Sequence, residues 1–542
     1  MKRIDPGSLF KRGGLIGGWG SVFTISLLIC LLVAAIGIIR PDAAAGAIRS
    51  ITTYVLDAFD WVFLLSVTFF IVLSLLLALS DYGDLKLGKE EDEPEFSMIS
   101  WLSMLFAAGM GAGLLFWGVA EPLSHYMVPP PGKEAMTPEA ARWAFVVTNF
   151  HWGLHAWCIY GLFALIMGFF GFRHGYPMLA GSPFLAVFTG KTGHLIARIA
   201  NIIAVLAVVF GISGSLGLGV KQISAGMAEV FGTSGESDLI LMNILGVLTA
   251  CYILSASTGL DKGIRFLSNL NMSLVVLLML FVLFVGPTRF ILSTFATSLG
   301  GYLAALPALS LKLYPFTGES EWIRTWTLTW MIWWIAWAPF VGVFIARISR
   351  GRTIRQFVLM VMLIPTLFSV LWFSVLGGTS MYLELFGQVN LGSVVVENPS
   401  EALFSLFTYF PGSNILSIAA VFLIFIFLVT SADSGAFVLG MMTSEGDLNP
   451  PLFRKLFWGA AVAVITGAGL FAGGSIEVFR AIAICGAIPF TLIMIAQVFL
   501  LLRALSWERI SQKATGGGEA EERRIPGNLA AKSGIDGEKE LS

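Results

Sequence analysis

The sequence predicts an all-α protein that crosses a membrane many times. Three observations carry that prediction. Hydrophobic residues fill 56% of the 542 positions. Charged residues fill 12%, against about a quarter in an ordinary soluble domain. The apolar residues gather into runs of roughly 18–25, the length a helix needs to cross a ~30 Å hydrocarbon layer. A soluble fold of this length would have to hide more apolar surface than its geometry allows. The net charge of −1 offers no basic field to nucleic acid.

Twelve spans follow in order. Residues 1–14 form a polar tail carrying Lys2, Arg3, Lys11 and Arg12. The apolar run behind it, span 1 near 17–39, is too long for the h-region of a signal peptide. Span 2 lies near 55–79, and an acidic loop with Glu90, Glu91, Asp92, Glu93 and Glu95 comes after it. Residues 15–98 thus hold the first two spans. Spans 3–7 occupy 99–287, near 99–119, 139–170, 194–226, 238–257 and 268–287. The stretch 288–321 reads as an amphipathic helix (291–313) and a loop at the membrane surface. Spans 8–12 occupy 322–504, near 322–346, 355–377, 413–441, 456–473 and 479–504, with a second short amphipathic stretch at 400–409. Residues 505–542 read as a polar tail.

Lys and Arg orient the chain, because cytoplasmic loops carry an excess of them. They collect in the N-terminal tail, after span 4 (Arg173, Lys191, Arg198), after span 6 (Lys262, Arg265), after span 8 (Arg347, Arg350, Arg352, Arg355) and after span 10 (Arg454, Lys455). Both termini are therefore expected in the cytoplasm. The four cysteines (Cys30, Cys158, Cys251, Cys485) fall inside apolar runs with no paired spacing and read as packing residues.

Two spans differ chemically from the rest. Span 3 contains Gly109-Met110-Gly111-Ala112-Gly113, and span 8 carries Trp326, Trp330, Trp333, Trp334 and Trp337 ahead of Pro339. Glycine weakens a helix by about 1 kcal/mol relative to alanine and proline by about 3. Interrupted helices at bilayer depth are tolerated where they line a cavity, and matching interruptions in two halves mark a transporter's binding site. Spans 3 and 8 each open a run of five spans, a spacing that suits an inverted repeat.

Span 4 reads His151-Trp152-Gly153-Leu154-His155-Ala156-Trp157-Cys158-Ile159-Tyr160. Trp157 and Tyr160 share a helix face, and Trp152 lies within reach of it. Tryptophans at span ends are ordinary interfacial anchors, but these sit mid-span. They suit either aromatic core packing or a cage for a methylated cation. Such a cation has no N–H to donate, and each indole face attracts it by about 0.5–2 kcal/mol. His151 and His155 lie one turn apart with no third metal ligand in view. Glu121, at the end of span 3, is read as either a gate or a solvated end, and Asp433 and Lys221 are further charges inside spans.

Met104–Tyr126, His151–Tyr160, Trp326–Phe357 (ending in the ARISRGR run) and Val429–Gly435 (VTSADSG) resemble the betaine/choline/carnitine transporter family. The resemblance covers roughly residues 15–505. It implies twelve transmembrane helices with a LeuT-like 5+5 inverted repeat on helices 3–12, a homotrimer, and a bacterial inner membrane. Residue by residue, it places Trp152, Trp157, Tyr160 and Trp334 around the ammonium group and Trp337 beside the inner pathway, leaving Trp330 and Trp333 to core packing. It gives Gly109, Gly111 and Gly113 the substrate carboxylate, because side-chain-free backbone permits close approach. It implies a co-transported sodium ion held by the carbonyls of Ala107, Met110 and Phe427 and the hydroxyls of Thr430 and Ser431. On the residues alone, that hydroxyl pair could equally bond back to its own helix.

Coupling type rests on particular positions. Gly113 is uncharged where proton-coupled choline members tend to carry aspartate. Met272 stands where sodium-independent carnitine antiporters place an arginine. Both point to sodium symport. Ser213, Ser215 and Phe340 are candidates for a second sodium. Arg347 and Asp433 are candidates for a polar network at the inner gate. The expected activity is uptake of glycine betaine or a related onium osmolyte by alternating access. Rivals are choline, carnitine, ectoine or dimethylsulfoniopropionate as cargo, ion-free antiport, and a channel or osmosensor. An enzyme is not expected: no HExxH, CxxC or dinucleotide loop occurs in a suitable setting.

Overall fold

The computed structural model of the protein describes residues 20–109, 111–233, 237–258 and 261–516. Its elements are helical apart from one isolated bridge between Lys86 and Thr353. The helices are α1 (Ser21–Ile39), α2 (Pro41–Leu79), α3 (Met98–Gly109), α4 (Ala112–Met127), α5 (Pro138–Trp152), α6 (Leu154–Gly168), α7 (Ser182–Val187), α8 (Gly190–Phe231), α9 (Asp238–Thr258) and α10 (Asp261–Val285). They continue as α11 (Thr288–Leu309), α12 (Ser320–Ile323), α13 (Thr329–Ile348), α14 (Ile354–Phe386), α15 (Leu391–Glu397), α16 (Ala402–Phe407), α17 (Ser413–Met442), α18 (Leu452–Phe471) and α19 (Ile476–Gly516). Single π turns lead out of α6 and into α13.

Among the described residues, twelve helical stretches are long and apolar enough to cross a membrane. They include α11, and they omit the α3–α4 segment, which is broken in the middle. One hydrogen bond bears on how these are arranged. Trp322 Nε1 donates to the Val128 carbonyl at 3.1 Å, so the end of α4 and the start of span 8 share one end of the bundle. Between them α5–α6, α8, α9 and α10 make four crossings and return the chain to that end. Helix α11 therefore starts and finishes there. Twelve crossings remain when α3–α4 counts as one.

The opposite end collects the basic residues. Leu87 N–H donates to the Arg352 carbonyl (2.8 Å), and Ile354 N–H to Leu85 (2.8 Å). Arg173 pairs there with Glu90 (2.7 Å) and with Glu508 near the end of α19. Phe23 at the start of α1 packs edge-on against Trp458 of α18 (5.7 Å). The first and last described helices thus meet the same end. Residues 1–19 and 517–542 lie outside the described residues; α19 itself runs through to Gly516, past the tail boundary expected at 505.

Helix contacts come in exchangeable pairs. α14 packs on α3 and α4 as α6 packs on α13; α9 meets α17 as α18 meets α8; α10 meets α17 as α19 meets α8. Swapping spans 3–7 for 8–12 maps each of these contacts onto its counterpart, whereas the α13–α19 contact is matched, among the described residues, by none of comparable extent between α3–α4 and α10. An odd number of crossings per unit makes the two units antiparallel, which is the inverted repeat.

The two spans expected to be interrupted behave differently. In span 3 the helix stops at Gly109 and resumes at Ala112, with Gly111 extended (φ −162°, ψ 172°). In span 8, α13 runs unbroken through Pro339. One proline removes one backbone bond and perturbs one turn, whereas three glycines in five residues weaken successive turns. A second break, unforeseen in the sequence, lies at Gly153 between α5 and α6 (φ −98°, ψ −135°).

Candidate functional site

The break in span 3 faces a cavity of about 360 Å³, which Trp152, just before the span 4 break, also lines. Gly111, Ala112 and Gly113 form part of its wall, together with Trp152, Trp157, Tyr160, Trp334 and Trp337. The first N–H groups of an α-helix have no intrahelical partner, and the start of α4 opens into this space. It presents donors and the positive end of the helix dipole to an anion. A Cβ at Gly111 would meet nothing within 4 Å, and one at Gly113 would touch the Trp152 ring at 3.4 Å. Gly109 closes α3, Ala107 lies one turn before the break, and Met110 lies outside the described residues.

The aromatic residues form a corner. Trp152 and Trp334 meet edge to face with centroids 4.9 Å apart, and Tyr160 meets Trp334 at 6.1 Å and Trp157 at 5.6 Å. Rings paired this closely leave no room for a cation between the members of a pair. A methylated cation must sit on their cavity side, where ring faces within about 6 Å attract it. Trp330 stacks on Trp334 at 5.1 Å and touches Trp152 at 4.8 Å. It and Trp333, assigned to core packing, also contribute to the cavity wall. The Gly153 break seats Tyr302, whose hydroxyl accepts from Leu154 N–H (2.9 Å).

Phe427, Thr430 and Ser431 reach the same cavity from α17. Thr430 also donates back to Ile426 (2.9 Å) and Phe427 (3.2 Å). A hydroxyl that donates retains oxygen lone pairs, so back-bonding and cation ligation are compatible. Ser215 and Phe340 line the cavity, as does Met272. Ser213, the other candidate for a second sodium, is not among the cavity-lining residues; its hydroxyl donates to the Val462 carbonyl of α18 (3.3 Å). Two helical positions apart means about 200° of rotation.

Among the described residues no ion pair joins Arg347 and Asp433. Arg347 is exposed at the end of α13, while buried Asp433 accepts from Ser255 (3.3 Å). The two histidines of span 4 also part company. His155 meets Ser310 of the 310–319 connection (3.0 Å), and His151 meets Glu121 (2.7 Å). Glu121 is fully buried, which corrects its reading as a solvated helix end. It gathers His125, His151 and Trp152, a cluster that sequence spacing did not reveal.

Comparisons with known proteins agree on the chain as a whole. A family model described as BCCT, betaine/carnitine/choline family transporter, matches residues 21–510. The chain is 42% identical over 490 residues to the glycine betaine transporter OpuD of Bacillus subtilis (strain 168), covering 90% of this chain and 95% of that one. It is 40% identical over 486 residues to an ectoine/hydroxyectoine transporter of Virgibacillus pantothenticus, covering 90% and 96%. It is 38% identical over 499 residues to the osmo-dependent choline transporter BetT2 of Acinetobacter baylyi (strain ATCC 33305 / BD413 / ADP1), covering 91% and 72%. With twelve crossings, an aromatic corner and a helix N-terminus on one cavity, the chain belongs to the betaine/carnitine/choline family of transporters and is a multi-pass membrane protein.

Proposed function

We propose that the protein imports glycine betaine by sodium symport through alternating access. One observation carries this reading: the aromatic corner and the start of α4 face the same cavity. Glycine betaine has a trimethylammonium group and a carboxylate, and the two walls match those two ends. The identity to OpuD supports the same cargo. Sodium would be held at the break, by backbone oxygens of span 3 and by Phe427, Thr430 and Ser431. Binding there stabilises the unwound stretch that meets the carboxylate. A ligand shifts an equilibrium only through different affinities for its states, so sodium favours the outward-open form. Met272 is uncharged and lines the cavity; the resemblance places an arginine at this position in sodium-independent antiporters, which supports the sodium-coupled reading.

The end bearing Arg173, Arg347, Arg350, Arg352 and Arg355 faces the cytoplasm on the positive-inside rule. A bacterial inner membrane, a homotrimer and a gating role for Arg347 and Asp433 complete the reading. The test is uptake of radiolabelled glycine betaine into proteoliposomes, with and without an inward sodium gradient. Accumulation only with the gradient is expected. Equal accumulation in both refutes symport. Uptake of choline, carnitine, ectoine or dimethylsulfoniopropionate in preference to betaine reassigns the cargo.

A further inference from the structure

We propose that the buried Glu121–His151 pair is the positioning node of the onium cage; the inference rests on the cage reading above. Glu121 is fully buried in α4. Its Oε2 accepts from Trp152 Nε1 at 2.7 Å, and its Oε1 lies 2.7 Å from His151 Nδ1 and 3.4 Å from His125 Nε2. An ionised carboxylate can only accept, so His151 donates through Nδ1. The other ring nitrogen of His151 meets the Thr327 hydroxyl of span 8 at 2.9 Å. Its backbone carbonyl accepts from Trp334 Nε1 at 2.8 Å. One residue pair therefore fixes both corner indoles and ties spans 3, 4 and 8 together.

The consequence for binding is geometric. An indole N–H lies in the ring plane, so anchoring it decides which way the face points. Cation attraction depends on the face being presented. Packing alone does not call for this arrangement, because a buried charge with its polar partners is commonly no more stabilising than apolar residues of the same volume. The charge is balanced locally: Arg480 lies within electrostatic reach of Glu121 and sits over the rings of Trp117 (5.0 Å) and Trp326 (4.7 Å). Trp117 is itself part of the cavity wall. Glu121, His125 and His151 also bring ligand atoms within 4.8 Å of one another, a spacing that a metal ion could use. Against that use, Glu121 and His151 are already hydrogen-bonded, and a guanidinium shares the pocket.

The test measures binding of glycine betaine and of tetramethylammonium to the full chain in nanodiscs. Glu121→Gln keeps the volume and removes the charge; it is expected to weaken both ligands about 10–100-fold, as loss of a buried charged acceptor does. The half-saturating concentration for uptake rises while the maximal rate stays within about twofold, a split that general destabilisation would not produce. In a Trp152→Phe background the same substitution costs less, because the bond it breaks is already gone. Thr327→Val, a milder change, weakens binding about 3–10-fold and keeps the test open if Glu121→Gln does not fold. Unchanged affinity in both variants, with the unmodified protein binding normally, overturns the node and leaves the cage intact. Failure of the unmodified protein to bind either ligand overturns the cage reading and the node together. Inhibition of binding by micromolar zinc that vanishes in His125→Ala overturns the node in favour of a metal site.

Discussion

Trp334 does two things at once: its face closes the corner and its N–H ties α13 to the His151 carbonyl. Trp334→Ala should therefore lower betaine affinity about 10–100-fold, from one lost ring face and one orphaned carbonyl. Trp334→Phe should fall between the two, and calorimetry orders the three. Residue identity made this site legible, because mid-span tryptophans and paired hydroxyls carry recognisable chemistry. Direction was less legible. Ser213 and Ser215 look equivalent in the sequence, yet only Ser215 reaches the cavity. Ser213→Ala should leave the sodium requirement of uptake unchanged. Joint replacement of Thr430 and Ser431 by Ala should raise it at least about tenfold, on the scale of two lost cation ligands. A sodium titration of initial uptake rates checks both.

Helix continuity is decided by summed local cost against what packing returns. The triple glycine of span 3 removes three side chains within five residues, and the helix parts there. Pro339 spoils a single turn, and α13 carries on, walled by Trp333, Trp337 and their neighbours. The Gly153 break was invisible because a lone glycine in an apolar run has no fixed meaning. Its cause is the approach of Tyr302 from α11: a Cβ at Gly153 would stand 2.7 Å from the Tyr302 hydroxyl and 2.4 Å from the Asn149 carbonyl. Gly153→Ala should destabilise the protein by about 1–3 kcal/mol, the usual range for overpacking. A fall in the detergent-solubilised melting temperature is the expected readout; an unchanged melting temperature would mean that the kink relaxes freely.

Across the whole molecule, the acidic loop after span 2 and the basic run after span 8 turn out to be partners. Arg350 bonds both oxygens of Asp92, Arg355 bonds Asp84 (2.7 Å), and Arg352 lies over the Trp101 ring (4.7 Å). The Arg350 guanidinium holds the Asp92 carboxyl below its ordinary range. A lowered folded-state value stabilises the clasp above the ordinary carboxylate range and releases it as pH falls through the lowered value. The pair is exposed, so this part of the clasp is weak. Backbone geometry is the stronger part: Gly351 has φ +80°, and a Cβ there would lie 2.5 Å from the Glu93 carbonyl carbon. Gly351→Val should free the 88–97 loop, seen as faster limited proteolysis there. For the proposed orientation, single cysteines replacing Val128 and Arg350 in a cysteine-free chain should react with impermeant reagents from opposite sides of the membrane. Labelling of both from one side would refute it.

The sequence by itself determined the membrane class, the number of crossings, the break in span 3 and the mid-span aromatic residues that meet at the cavity. Each of these is local: a run length, a glycine cluster, a side-chain type. Tertiary structure decided the rest. It kept α11 at one end of the bundle, bent span 4 against Tyr302, left Ser213 on the Val462 carbonyl and buried Glu121 against Trp152 and His151. Those outcomes depend on which groups meet across hundreds of residues, and a buried polar group takes its partner from whatever the packing brings within about 3 Å.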